Sequence, residues 1–332
     1  MNCPYCNEQI EESDRFCGAC GKSLSQGENI TAEKVDKGAT DGPAQPILVC
    51  RCPEGESQPD EDGYCKECGA KCVPSLPAHT VEISATYLAM VSDIGKRHKT
   101  NDDAGAVATG VGNAVLVVAD GVSSSVDGAS GSATAVKVVR DMLLSCGNPD
   151  DAEAVMGQAI EAAHGAIVNL PYVSSDPDAD GPETTLVAAI RHGGQLTIGW
   201  VGDSRAYLIG ETSEELLTVD DSWVELVVAS GELTREEAVV DRRAHYVTQV
   251  LGMRDDRIDP HVMQKHSAPG KILLLCSDGL WNYFQEQGKL LSAINEYGPE
   301  KDAADICKHL VAQANEQGGH DNITVAMLQM YL

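Results

Sequence analysis

The chain has 332 residues and carries 51 acidic side chains against 24 basic ones, a formal net charge of −27. A surface so acidic repels nucleic acid and anionic membranes, which argues against both as partners. With 42% hydrophobic but only 4% aromatic residues, the length allows about two or three domains, their cores built from Val, Leu, Ile and Ala. No apolar run is long enough for a transmembrane helix, so no membrane insertion is expected. The opening Met1-Asn2-Cys3-Pro4 lacks a basic patch followed by an apolar run, so no secretory signal is expected. The expected compartment is the cytoplasm, where paired cysteines hold metal rather than form disulfides.

Nine of the twelve cysteines precede residue 73. The first four stand as Cys3-x2-Cys6 and Cys17-x2-Cys20, each pair in a turn, with glycine after the last ligand. Four thiolates at this spacing make a closed tetrahedral zinc site, and so short a segment needs that staple to fold. This predicts a zinc ribbon over residues 1–24. Residues 25–47, rich in Gly, Ala, Asp, Lys and Pro without an apolar period, read as a linker. Residues 48–73 read as a second, less regular ribbon-like module. Its expected zinc ligands are Cys50, Cys52, Cys65 and Cys68, with Cys72 spare. One or two structural Zn²⁺ ions are therefore expected, in closed sites that serve folding or docking. Pro74 and Pro77 mark 73–79 as a second, shorter joint.

From residue 80 the composition shifts to apolar runs separated by turns. Short runs predict buried strands at Ala114–Ala119, Leu186–Ile190, Leu196–Val201, Arg205–Ile209, Ile272–Cys276 and Ile323–Met330. Helical spacing appears in Ser130–Leu144, Ala152–Asn169 and Lys301–Asn315. In the first of these, Ala133, Val136, Val139, Leu143 and the stem of Arg140 share a face. Strands in adjacent pairs joined by short turns, such as His192-Gly193-Gly194, predict antiparallel sheets. The expected class is α+β, two packed sheets flanked by helices. Cys146, Cys276 and Cys307 sit in apolar surroundings and read as core.

Four aspartates stand at the ends of apolar runs: Asp120, Asp203, Asp278 and Asp321. A strand fixed in a core delivers its end residue with little freedom, so one rim can gather several carboxylates. Like charges so close cannot all ionise without a cation. Hard oxygen ligands select Mg²⁺ or Mn²⁺.

At these residues the chain resembles the metal-dependent PPM-type (protein phosphatase 2C-like) serine/threonine phosphatases. The resemblance rests on Ser92-Asp93-Ile94-Gly95 with Asn101-Asp102-Asp103, on Ala119-Asp120-Gly121 and on Glu183-Thr184-Thr185. It continues in Gly202-Asp203-Ser204-Arg205, Cys276-Ser277-Asp278-Gly279 and Gly319-His320-Asp321-Asn322. These motifs, in order, cover residues 80–332. The resemblance implies a two-layer antiparallel β-sandwich flanked by helices, with two metal ions at one edge. It implies that Asp120 bridges both ions, that the Gly121 carbonyl binds one, and that Asp278 and Asp321 complete the other. Asp102 and Asp103 would hold metal-bound water or orient ligands, and Asp203 matches a third, weaker metal position. The implied reaction is hydrolysis of phosphoserine and phosphothreonine in proteins by a water between the metals.

Three departures accompany the resemblance. His98 stands where the family often has a phosphate-gripping Arg, with Arg97 and Lys99 beside it. Asp102 replaces the usual Glu, and Val122 replaces a His found in many members as a candidate acid. The segment from Asp220 to Gly252 is similar to the family's variable flap, and its Arg242 and Arg243 are candidates for attracting a phosphopeptide. The expected partners are phosphorylated proteins, with a serine/threonine kinase and its substrates among them. The alternatives are a catalytically weak, phosphatase-like scaffold that binds through its ribbons, and a phosphatase acting on small phosphoesters.

Overall fold

The computed structural model describes residues 44–50, 59–172, 180–253, 257–266 and 269–330. The expected first ribbon with Cys3, Cys6, Cys17 and Cys20, most of the linker, and Cys52 lie outside the described residues. In chain order the strands are β1 (Ile47–Val49), β2 (Val73–Ser75), β3 (His79–Ala85), β4 (Leu88–Asp93), β5 (Asp103–Thr109), β6 (Asn113–Asp120) and β7 (Leu186–His192). They continue as β8 (Gln195–Val201), β9 (Arg205–Ile209), β10 (Glu214–Leu216), β11 (His261–His266), β12 (Lys271–Cys276) and β13 (Ile323–Met330). The α-helices are α1 (Gly128–Leu144), α2 (Ala152–Val168), α3 (Trp223–Ala229), α4 (Arg235–Ala238), α5 (Asp278–Trp281), α6 (Lys289–Tyr297) and α7 (Ala303–Glu316).

Two antiparallel sheets face each other. One runs β10-β9-β12-β13-β4-β3 and the other β11-β8-β7-β6-β5. Strand alternation sorts their side chains into three layers of core. In β6, Leu116 and Val118 join Met90, Ile198, Leu273 and Leu328 between the sheets. Its alternate residues Val115 and Val117 pack with Val136, Val139 and Ile160 of α1 and α2. On the far side, Leu274, Val325 and Met327 meet Ile306, Leu310 and Val311 of α7. Because both faces of each sheet are covered, the central strands read as unbroken apolar runs. The result is the expected α-β-β-α sandwich.

The core carries almost no aromatic side chains, and its largest fully buried residues are Leu, Ile and Met. Cys146, Cys276 and Cys307 are buried in it, as expected. The His192-Gly193-Gly194 turn joins β7 to β8, with Gly193 at φ +55°, a conformation open to glycine.

Segment 73–79, expected to be a joint, is tied down instead. β2 pairs with β1, Leu48 standing opposite Pro74, and proline is tolerated there because this two-stranded sheet is all edge. Leu76 then bridges to Asn101. The end of the expected linker is likewise engaged, for Ala44 packs against the α1 side of the core. No helix among the described residues is long and apolar enough to cross a membrane.

Candidate active site

Both sheets deliver carboxylates to one edge. In the second sheet, register places Asp103 at the start of β5 directly opposite Asp120 at the end of β6. In the first sheet, β9, β12 and β13 are neighbours: Cys276 pairs with both Arg205 and Val325. Asp203 and Asp278 each lie two residues beyond those pairs, and Asp321 lies two residues before Ile323, where β13 begins, so three adjacent strands present them together. Asp103 is buried, and the other four are half-buried.

Burial and neighbouring charge raise four of these carboxylates, Asp103, Asp120, Asp203 and Asp278. Asp120 is held well above the ordinary carboxylate range, first by burial and then by Asp103, Asp278, Asp321 and Asp203. Burial pushes Asp103 up to about 7, assisted by the charge on Asp321 and opposed by the Ser277 hydroxyl. Asp278 is pushed to about 7 by burial, then by Asp321 and Asp103. Asp203 reaches about 7 by burial, then through Asp278 and Asp220. Asp103 Oδ1 and Asp278 Oδ1 are buried without a hydrogen-bond partner. An orphaned buried carboxylate oxygen is costly unless a cation meets it. The donor set is all oxygen, which suits Mg²⁺ or Mn²⁺. The residues therefore fit a divalent metal centre.

A hydrogen-bonded frame fixes these carboxylates. Ser277 Oγ donates to Asp103 Oδ2 at 2.7 Å and accepts from the Thr324 amide at 2.9 Å. Thr185 Oγ1 accepts from the Asp120 amide at 3.2 Å, and Thr184 Oγ1 donates to the Asp120 carbonyl at 2.9 Å. Asn322 Oδ1 accepts from the Asp102 amide at 2.8 Å, while its Nδ2 donates to the Ile94 and Thr100 carbonyls. The Asp102 carbonyl takes the Gly121 amide at 3.1 Å and Ser132 Oγ at 2.6 Å. Asp102 is thus bound through its backbone to the neighbours of both Asp120 and Asp321. Two glycines of the motifs are sterically required: a Cβ on Gly95 would lie 2.1 Å from the Asp321 carbonyl oxygen, and one on Gly279 would lie 1.8 Å from that of Asn322.

His98 reaches the centre, its Nε2 lying 3.2 Å from Asp321 Oδ1. Arg97 beside it is exposed. On the other flank a cavity of about 640 Å³ is lined by Asp203, Asp278 and the flap. The arginines lining it are Arg205 and Arg235. Arg205 grips Asp220 through Nε at 3.0 Å and Nη2 at 2.7 Å, and its guanidinium stacks 3.6 Å above the Trp281 ring. Trp281 in turn donates to the Asp203 carbonyl at 2.9 Å. Arg235 is engaged by Glu225 at 2.7 Å through both terminal nitrogens. Arg242 and Arg243 do not line the cavity. Arg243 pairs with Asp241 at 2.9 Å and lies 4.1 Å over Trp223, and Arg242 is exposed.

The second cysteine module is partly assembled. The sulfurs of Cys50, Cys65 and Cys68 lie within 4.8 Å of one another, with Cys50 and Cys68 3.4 Å apart. Three thiols so placed fit three corners of a zinc tetrahedron. Cys72, expected to be spare, is buried against Cys50 and Cys65.

Asp120, Asp203, Asp278 and Asp321 were legible as strand-end carboxylates and Asp102, Asp103 and Gly121 through the family resemblance, and all of them belong to this edge or its frame. It did not assign the supporting roles of Asn101, Ser277, Thr185, Asn322 and Trp281. For Ser277, Thr185 and Asn322 a short polar residue beside an apolar run was the available signal.

The sandwich and its carboxylate nest together define a divalent-metal hydrolase. Residues 94–315 match the family model described as protein phosphatase 2C, and residues 2–24 match a zinc-ribbon domain. The serine/threonine phosphatase stp of Listeria welshimeri is 31% identical over 243 residues, covering 71% of this chain and 92% of its own. The serine/threonine phosphatase of S. agalactiae superposes with a TM-score of 0.64 at 28% identity, covering 76% of this chain and all of its own. The catalytic domain of serine/threonine protein phosphatase PstP, solved in complex with two manganese ions, superposes with a TM-score of 0.60 at 27% identity, again over 76% of this chain and all of its own. The chain belongs to the protein phosphatase 2C family, the metal-dependent serine/threonine phosphatases.

Proposed function

We propose that the chain hydrolyses phosphoserine and phosphothreonine in proteins, with Asp120, the Gly121 carbonyl, Asp278 and Asp321 holding two Mn²⁺ or Mg²⁺ ions. The observation that carries this reading is the nest of five aspartates with two orphaned buried oxygens. When bound, such ions supply a water of lowered pKa as nucleophile and offset phosphate charge. The manganese pair in the PstP structure supports the metal count.

The chain's own groups do the positioning. Asp103, held by Ser277, orients the nest from the second sheet, and Asp203 offers a weaker third position. Asp102 acts through its backbone, locking Gly121 to Asn322. His98 and Arg97 take the phosphate on the Asp321 side, where His98 Nε2 lies 3.2 Å from Asp321 Oδ1. Arg242 supplies long-range attraction for a phosphopeptide, and Arg243, engaged by Asp241, contributes less.

Beyond the active site, the expected zinc ligands are Cys3, Cys6, Cys17 and Cys20 in the ribbon, and Cys50, Cys65 and Cys68 with Cys52 in the second module. Phosphorylated proteins are the substrates, a serine/threonine kinase among the expected partners, and the cytoplasm the expected compartment. The test is phosphate release from a phosphothreonine peptide with and without Mn²⁺, comparing the intact protein with Asp120→Ala. Manganese-dependent release that falls at least about a thousandfold in the variant is expected, since metal activation of the nucleophile would be lost. No release from the metal-loaded intact protein would refute the reading in favour of a scaffold.

A further inference from the structure

We propose that the second cysteine module forms one wall of a specificity pocket that takes an apolar side chain flanking the phosphorylated residue of a peptide substrate. The inference rests on the phosphatase reading above. A cavity of about 480 Å³ lies between the module and the catalytic sandwich. Leu48, Val73 and Pro74 line it from the module, and Val126, Tyr172 and Asp102 from the sandwich. Its size falls within the ~300–1,000 Å³ of ligand-binding clefts.

Asp102 ties the pocket to the frame of the active site. The residue that lines the cavity also accepts the Gly121 amide and donates to Asn322, so pocket and metal edge share one residue. A peptide whose phosphate sits at the carboxylate nest has its neighbouring residues about 3.3–3.6 Å per position further along an extended chain. The wall on the module side is held in place. Leu48 and Pro74 stand opposite each other in the β1–β2 pair. The strand then runs into Leu76, whose amide donates to the Asn101 carbonyl at 2.7 Å, while the Asn101 amide donates to Ser75 Oγ at 3.0 Å. The thiols of Cys50, Cys65 and Cys68 anchor the other end.

The chemistry of the lining selects the occupant. Leu48 remains 44% exposed at the cavity, an apolar side chain without a full set of neighbours. Asp102, Asp127 and Lys71 also line the space, so its charged groups are of both signs and favour no single charge on a flanking residue. An uncharged aliphatic side chain satisfies both conditions. The pocket would therefore sort phosphopeptides by a neighbour of the phosphorylated residue, which the metal centre alone cannot read.

The test uses the full-length, manganese-loaded protein and phosphothreonine peptides that differ only in Leu or Gly at each flanking position. Burying one leucine side chain corresponds to roughly a tenfold or greater preference in kcat/KM at one position. Leu48→Ala, and Tyr172→Ala from the opposite wall, should reduce that preference to about two- or threefold or less. Neither should change hydrolysis of p-nitrophenyl phosphate, which is too small to reach the pocket. Absence of any Leu/Gly preference in the intact protein overturns the inference, as does a preference unaltered in both variants. A parallel rise for both peptides in Leu48→Ala would mean that the chain's own segment fills the pocket, and would also overturn it. Failure of the intact protein to hydrolyse even p-nitrophenyl phosphate would instead refute the phosphatase reading beneath it.

Discussion

Neutralising one carboxylate of the nest should stabilise the metal-free protein while destroying its activity, and Asp103→Asn is the sharpest case. Asp103 is 2% exposed and raised to about 7 from its ordinary value of 3.8. A carboxylate whose folded pKa is raised favours the folded state while it is protonated. That advantage is complete below the unfolded pKa and is lost as pH climbs through the folded one. For a shift of about three units the full loss is about 4 kcal/mol, of which about 1.4 kcal/mol falls between about pH 6 and pH 8.5. At about 2–4 °C per kcal/mol, the metal-free protein should melt about 3–6 °C lower at pH 8.5 than at pH 6 from this group alone. Asparagine keeps an acceptor for Ser277 and puts an uncharged donor where the orphaned Oδ1 faces its neighbours. The variant should lose this alkaline destabilisation and respond less to Mn²⁺. Thermal melts of metal-free and manganese-loaded protein across that pH range would decide it. A metal-free Asp103→Asn protein less stable than the parent at pH 8.5 would refute the reasoning, for it would show that the five charges are already compensated within the chain.

Two further outcomes follow from named contacts. Arg205→Ala should lower stability by about 3–5 kcal/mol, because Asp220 would remain buried without its bidentate partner; a urea unfolding midpoint close to that of the parent would contradict this. His98→Ala should raise KM for a phosphopeptide roughly tenfold at similar kcat, the scale of one hydrogen bond to a charged group. An unchanged KM would remove His98 from phosphate binding.

Much of the sandwich was legible because its central strands are apolar throughout. The runs that become β9 and β13 were placed to the residue, and β6, β7, β8 and β12 to within two residues at either end. The outer elements were not read. β5, Asp-Ala-Gly-Ala-Val-Ala-Thr, is too small-sided to stand out, and β3 alternates weakly between exposed and half-buried positions. β2 was hidden by its proline. The aspartates were found individually as strand ends, but the register that sets Asp103 opposite Asp120 is a property of pairing, which no local pattern encodes. The roles of Asn101 and Ser277 were obscured for the same reason. Ser277 bonds a residue 174 positions away, and its value appears only once two sheets are stacked.

The distribution of charge explains how an acidic chain can serve a phosphorylated substrate. A net charge of −27 repels a phosphopeptide at long range, and a basic surface would be the simpler solution. Instead the cationic side chains near the cavity are largely engaged: Arg205 by Asp220, Arg235 by Glu225, Arg243 by Asp241. The positive charge that meets the phosphate must then come chiefly from cations in the nest, and the five aspartates concentrate that requirement at one edge. Binding of phosphate would then be conditional on metal, and the same carboxylates expected to weaken the metal-free fold at alkaline pH would make the loaded site attractive to an anion. Selection among phosphoproteins would then rest on apolar contacts, such as those that Leu48, Val73, Pro74 and Val126 offer in the cavity beside Asp102.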